Sequence, residues 1–226
     1  MTTRVLSLPL FLCTTLFASA QIPSLLRDIN ATGGANVAGI TCVDGLVYFS
    51  ANDGVHGAEV WVSDGTTDGT VLLKDINPGA GGSAPLSFLE WNGRVYFAAD
   101  NGVDGYQLWS SNGTEAGTQF ELAVDNVQDL EYSSRFTKFG DIVVFRGQTE
   151  AHGSELWRTD GTVEGTQLIL DINPGEVSSN PHQFTEYNGL LYFSAKSPDI
   201  DEELWVTDGT AAGTHLVKDI NEGIGS

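Results

Sequence analysis

The sequence predicts an all-β chain, a β-propeller-like array of four-stranded antiparallel blades, and three observations predict it. First, Trp61, Trp109, Trp157 and Trp205 stand 48 residues apart, and similar strings surround each of them. That period lies within the range of propeller blades. Second, strand cores such as Leu46-Val47-Tyr48-Phe49 and Leu190-Leu191-Tyr192-Phe193 are apolar on both faces. They need cover on two sides, which a single open sheet does not give. Stacking small sheets radially does. Third, glycine is high at 27 of 226 residues and falls mostly at fixed phases of the repeat, where it reads as turn chemistry. Strand-type alternation excludes a helical solenoid, and a parallel β-helix would need a shorter repeat.

Residues 1–20 read as a secretory signal peptide. Arg4 supplies the positive start, and Val5 to Phe17 is an apolar run too short to span a bilayer. Ala18-Ser19-Ala20 is a small-residue cleavage site before Gln21. Cleavage removes Cys13, so Cys42 has no intrachain partner. It is expected to be a small buried hydrophobe in a strand, with intermolecular pairing as the other reading. Residues 21–226 read as one repeat domain, with blades at about 31–76, 77–124, 125–172 and 173–220.

In the second copy the strands are expected at about Leu86–Trp91, Arg94–Ala99, Gln107–Ser111 and Thr118–Ala123. Asn92-Gly93 is a two-residue hairpin signal between the first two. Asp64-Gly65-Thr66 to Gly69-Thr70 reads as a longer loop joining third and fourth strands, and Asn77-Pro78-Gly79 as an exit from the sheet. Fourth-type strands occur five times, near Asp28, Asp75, Ala123, Asp171 and Asp219, against four of each other type. The surplus is an extra N-terminal strand at Leu25–Ile29. It has no expected partner, which predicts that the chain is part of a larger propeller. A compact four-bladed ring is the alternative.

The string Glu203-Leu204-Trp205-Val206-Thr207-Asp208-Gly209-Thr210 and its match at Glu155–Thr162, each followed by a D-I-N exit (Asp219-Ile220-Asn221 and Asp171-Ile172-Asn173), resemble the ELWxxDGT repeat proteins. The first copy has Val60 for Leu, and the second has Gln107 for Glu and Asn112 for Asp. The third exit reads Ala123-Val124-Asp125-Asn126 instead of D-I-N-P-G, and the fourth copy replaces a Gly-rich turn by Ser197-Pro198-Asp199-Ile200-Asp201. The resemblance covers nearly all of residues 25–226. It implies a secreted, propeller-like, often surface-associated bacterial repeat protein, and brings no catalytic residues.

The formal charge is −20, from 30 acids and 10 basic residues. Nucleic acid binding, which rests on Lys and Arg at phosphates, is excluded as an expectation, and so is an anionic membrane surface. No membrane insertion is expected after signal cleavage. Enzyme motifs are absent from the sequence, so no catalytic and no cofactor-binding residues are assigned. His56, His152, His182 and His215 are read as surface turn residues. The irregular stretch around Asp125, Asp129 and Glu131 supplies acids but no histidine.

Recurrent acids are the best candidates: Asp28, Asp75, Asp171 and Asp219 at one phase, Asp64, Asp160 and Asp208 at a second, Glu59, Glu155 and Glu203 at a third. Hard oxygen ligands suit Ca²⁺, which leaves the metal question open, but Asp before Gly-Thr is first a turn former. The four repeat tryptophans are read as core between blades, with sugar stacking as the other reading; Trp91, off their phase, is the better candidate for an exposed ring. Asn30-Ala31-Thr32 and Asn112-Gly113-Thr114 match the N-glycosylation sequon. The expected function is a secreted, non-catalytic scaffold for protein or glycan binding and adhesion at the cell surface. The alternative is a non-catalytic propeller domain of a larger exported enzyme.

Overall fold

Each copy of the repeat folds into four antiparallel strands hydrogen-bonded in chain order, giving four separate sheets. They are seen in a computed structural model that describes residues 25–103, 105–122, 136–162 and 164–220. Blade 1 holds β1 (Ala38–Val43), β2 (Leu46–Asn52), β3 (Ala58–Ser63) and β4 (Val71–Lys74). Blade 2 holds β5 (Leu86–Trp91), β6 (Arg94–Asp100), β7 (Tyr106–Ser111) and β8 (Gln119–Leu122). Blade 3 holds β9 (Phe136–Phe139), β10 (Ile142–Thr149), β11 (Gly153–Thr159) and β12 (Gln167–Leu170). Blade 4 holds β13 (His182–Tyr187), β14 (Leu190–Ser197), β15 (Ile200–Thr207) and β16 (His215–Lys218). Residues 1–20, read above as a signal peptide, Ala123–Asn126, Asp129, Glu131 and the exit after Ile220 lie outside the described residues.

Turn chemistry sets the registers. Asp44-Gly45, Asn92-Gly93 and Asn188-Gly189 all have positive φ at both residues, the two-residue hairpin geometry that matches strand twist. In every copy a phenylalanine of the second strand faces the repeat tryptophan of the third: Phe49 and Trp61, Phe97 and Trp109, Phe145 and Trp157, Phe193 and Trp205. The ladder to the fourth strand shifts register just before that tryptophan in all four blades.

We call the face of a blade toward the preceding blade leading and the opposite face trailing. One apolar cluster joins the trailing face of blade 1 (Val43, Tyr48, Val60, Val62, Leu73, Ile76) to the leading face of blade 2 (Val95, Phe97, Trp109). A second cluster joins blades 2 and 3, and a third joins blades 3 and 4. Phe97, Phe145 and Phe193 are at most 1% exposed. Full burial of each such ring contributes roughly 1.5–3 kcal/mol. Trp109, Trp157 and Trp205 belong to these layers, Trp157 half-buried against the second cluster, and Trp61 is buried with Phe49 and Ala51 on the leading face of blade 1, so core packing is their role.

No apolar cluster joins blade 4 to blade 1 among the described residues, and the four blades form an arc and not the compact ring. Glycines in the loop after each third strand register this. Gly113 lies against Leu46 and Tyr48 of blade 1, Gly161 against Trp91 and Tyr96 of blade 2, and Gly209 against Ile142 and Phe139 of blade 3. A Cβ on Gly65, at the same phase in blade 1, would meet nothing within 4 Å.

Three expectations need correction. Leu25–Ile29 is not a strand. It lies on the leading face of blade 1, where Ile29 packs on Phe49, Ala51 and Trp61. Its backbone makes no strand ladder. Cys42 is exposed, since its strand flanks a face with no neighbour. Trp91 is 4% exposed and tilts against Tyr96 in the interface between blades 2 and 3, so it is core and not a free ring. Phe97→Ala should lower unfolding free energy by about 3–5 kcal/mol, whereas Ile40→Ala, at a residue 67% exposed, should stay within about 0.5 kcal/mol; urea titration of the two variants checks this.

Candidate functional site

The recurrent acids separate into two devices at opposite ends of the blades. The first is the S/T-D-G-T-x-x-G-T loop joining third and fourth strands. In blade 1, Asp64 Oδ1 accepts from the Thr66 backbone N–H at 2.9 Å and the Thr66 hydroxyl at 2.7 Å. The Thr66 oxygen in turn accepts from the Gly69 N–H at 2.9 Å, and the Thr70 hydroxyl donates to the Thr66 carbonyl at 2.7 Å. Ser63 and Thr70 hydroxyls meet at 2.7 Å and close the loop. The same bonds recur around Asn112, Asp160 and Asp208. Hydroxyl pairs Ser111–Thr118, Thr159–Thr166 and Thr207–Thr214 repeat the closure at 2.7 Å. The threonine hydroxyl first, and then its amide, hold the Asp64, Asp160 and Asp208 carboxyls below the usual range.

A glycine ends each loop for lack of space. A Cβ on Gly165 would lie 1.8 Å from Asp160 Oδ1, and one on Gly69 would lie 2.0 Å from Asp64 Oδ1. With the rest of the loop bonded to itself, the x-x pair is left free to vary: Thr67-Asp68, Glu115-Ala116 and Ala211-Ala212 are exposed, as is Glu164.

The second device is the Glu of E-L-W. Glu59 is fully buried. Its Oε2 accepts from the Ile76 N–H at 3.1 Å and the Ser83 hydroxyl at 2.5 Å, and its Oε1 accepts from the N–H groups of Asn77 at 3.1 Å and Ser83 at 2.8 Å. Glu155 repeats all four bonds with Ile172, Asn173 and Ser179. Each carboxyl therefore ties the crossover between blades to the start of its third strand. Glu203 is also buried, at the same phase. Burial raises the pKa of Glu59, and carries Glu155 up to about 7 against the pull of its donors. The neutral form is also accommodated. A protonated Glu155 donates to Ser179 Oγ, whose hydroxyl can turn to the Ser154 carbonyl 3.5 Å away.

At this crossover Asp171 Oδ2 lies 2.9 Å from His152 Nδ1. His56 instead bonds Asp53 at 2.7 Å. Burial pushes Asp53 up, but the His56 and Val55 amides and the His56 ring outweigh it and bring it to about 2. His182 Nδ1 lies on the Asn180 carbonyl, and His215 begins β16, so the histidines do not converge. Among the described residues no group of three His, Cys, Asp or Glu side chains could hold a metal ion. The sequon Asn30 is buried, with its Oδ1 bonded to Thr32, and Asn112 is the loop residue in the Asp slot.

The hydroxyl pairs and the Ser83 and Ser179 partners of the buried carboxylates were not singled out from sequence. The first had a readable signal, since Ser or Thr precedes the Asp or Asn in all four copies. Among the described residues no helix is long and apolar enough to cross a membrane.

No family model matches the chain. No curated protein matches it in sequence. Two solved structures of puromycin hydrolase are similar in fold. A mutant complexed with PGG superposes with a TM-score of 0.60 at 14% identity, over 84% of this chain and 30% of that one. The other gives 0.56 at 16% identity, over 81% and 28%. The chain thus spans less than a third of these proteins, and the likeness is one of propeller fold.

Two outcomes check the devices. Gly165→Ala should cost about 1–3 kcal/mol by breaking the Asp160–Thr162 bonds, read as a lowered Tm. The raised pKa of Glu155 means that the folded chain binds this proton more tightly than the unfolded one. Its stabilising contribution is complete below the unfolded value near 4.5 and is lost as pH rises through about 7. Stability of the wild type should therefore fall between pH 5 and pH 8, and Glu155→Gln should flatten that slope, as urea midpoints at several pH values would show. Gln107 occupies the same phase in blade 2.

Proposed function

We propose that the protein is a secreted, non-catalytic repeat scaffold that binds a protein or glycan ligand at the cell surface through the D-G-T end of its blades. The observation that carries this reading is the loop architecture. Four loops of one design are locked by their own hydrogen bonds, and the described residues of their x-x pairs are exposed and differ from copy to copy. A rigid frame with variable displayed side chains binds with little ordering cost. Asp68, Glu115 and Glu164 make this end acidic, which favours a cationic protein surface or a glycan presented without anionic groups. The resemblance to ELWxxDGT repeat proteins and the signal peptide at residues 1–20 support export. No nucleic acid is expected as partner, no membrane insertion after cleavage, and no cofactor.

The alternative is a non-catalytic propeller domain of a larger exported enzyme. Its support is the size relation to puromycin hydrolase, of which this fold matches 30%. The full open reading frame separates the two.

A glycan array and a cell-surface binding assay on the purified protein, with and without EDTA, test the scaffold reading. Binding should be saturable, and the triple variant Asp68→Ala, Glu115→Ala and Glu164→Ala should weaken it by at least about tenfold at unchanged Tm. Binding that ignores these residues and follows substitutions at the crossover end would overturn the assignment.

A further inference from the structure

We infer that the leading face of blade 1 is a docking surface for the trailing face of blade 4 of a second copy of this chain, giving head-to-tail association. The argument does not depend on the ligand reading above. It rests on continuity with the three blade–blade interfaces inside the chain, each built from the same two half-surfaces.

The trailing half is buried in blades 1 to 3 and open in blade 4. Val60, Leu108 and Leu156 are at most 1% exposed, and their equivalent Leu204 is 38% exposed. Ile76 and Ile172 are 6% and 5% exposed, and Ile220 is 70%. Val43, Trp91 and Phe139 are at most 9% exposed, and Tyr187 is 63%. The leading half of blade 1 is covered over Phe49, Ala51 and Trp61 by Ile29 and Ala35, and is open at Ile40. Ile40 is 67% exposed where Phe136, at the same phase in blade 3, is 7% exposed.

Blade 1 also carries the imprint of what is missing. An apolar groove of about 270 Å³ lies on this face, lined by Leu26, Ile40, Val47, Phe49 and Gly65 among others. In blade 2 the ground beside the matching Gly113 is filled by Leu46 and Tyr48 of blade 1. In blade 3 the ground beside Gly161 is filled by the Trp91–Tyr96 pair, whose ring centroids are 5.3 Å apart. Blade 4 presents the same pair as Tyr187 and Tyr192, at 6.3 Å. That pair and Leu190 occupy the phases that would fill the groove at Gly65.

The segment at Leu25–Arg27 marks how the docked blade would sit. Arg27 Nη1 donates to the Thr70 carbonyl, as Lys74 Nζ donates to the Thr118 carbonyl one blade later. The segment thus holds the place of a preceding fourth strand. A docking blade 4 brings its own fourth strand, β16, tied to β15 by a ladder at three residue pairs. Leu25–Arg27 makes no ladder and is held through Arg27 and the Thr67 hydroxyl, so it yields. A contact of this kind joins two different surfaces, so it closes a ring or extends into a chain.

Sedimentation velocity on the purified protein tests this, with variants at two exposed positions whose folding is checked by circular dichroism. The wild type should self-associate as concentration rises through the micromolar range. Ile40→Glu and Tyr187→Glu, each placing a charge in the apolar contact, should each weaken association by at least about tenfold. An equimolar mixture of the two variants should form a 1:1 dimer and stop, because each retains one intact half. A wild type that stays monomeric overturns the inference, whether its faces stay solvated or take another occupant. Association indifferent to both variants, or a mixture that fails to form the 1:1 dimer, overturns it too.

Discussion

A four-stranded sheet that is apolar on both faces is not stable alone in water, and this constraint governs the rest of the molecule. Each blade carries a phenylalanine and a tryptophan side by side on its leading face, and an aliphatic or aromatic set on its trailing face. The trailing half takes its cover from the next blade, and the leading half from the preceding blade and the segment that enters the sheet. The repeat positions of Ile172 and Phe139 are thus almost fully buried in blade 3, while their equivalents Ile220 and Tyr187 in blade 4 are more than half exposed. The difference comes from position in the array and not from residue type. Stability is accordingly distributed over three interfaces, as expected where each unit touches only its neighbours.

Packing sheets face to face creates a polar problem at the crossover, and the repeat glutamate answers it. The chain leaves a fourth strand and enters the next blade through buried backbone N–H groups that need acceptors. Glu59 and Glu155 each supply two oxygens to three such amides and one serine hydroxyl. A glutamine offers one acceptor oxygen where a carboxylate offers two. Copy two has Gln107 in that slot, and the exit that follows it has also lost D-I-N-P-G for Ala123-Val124-Asp125-Asn126. The two departures fall in the same copy, as they should if the carboxylate and the exit backbone are one unit.

The repeat, the strand positions and the hairpin turns were legible because periodicity and Asn-Gly or Asp-Gly chemistry are local signals. Predicted strands at Leu86–Trp91 and Arg94–Ala99 match β5 and β6 to within one residue. Roles that depend on what lies across an interface were not legible. Trp91 stood off the tryptophan phase and read as exposed, yet it fills the layer against blade 3. Cys42 read as buried, yet its strand faces no neighbour. Leu25–Ile29 has the composition of a strand, yet it packs on the face of blade 1 without joining a ladder. Glu59 stood among candidate oxygen ligands, because its amide donors lie 17 to 24 residues downstream and leave no trace in its own neighbourhood. In the loop the Asp was rightly read as a turn former, while the second glycine is required by a clash that only coordinates reveal.

Identical half-surfaces repeated along one chain carry a hazard, since any leading face complements any trailing face. Inside the chain the short crossovers and the buried glutamates fix which pair meets, and between chains nothing covalent does. The formal charge of −20 acts there. Like-charged copies repel over roughly a Debye length, about 8 Å at physiological ionic strength. At the apolar faces attraction begins only at contact. Repulsion therefore discourages glancing encounters of blade ends and loops, and leaves as the favourable approach the one that buries whole faces. In such a repeat the acidic surface is part of the specificity of the stack as well as of its solubility, and the apolar faces can stay strong enough to hold each blade without joining chains at random.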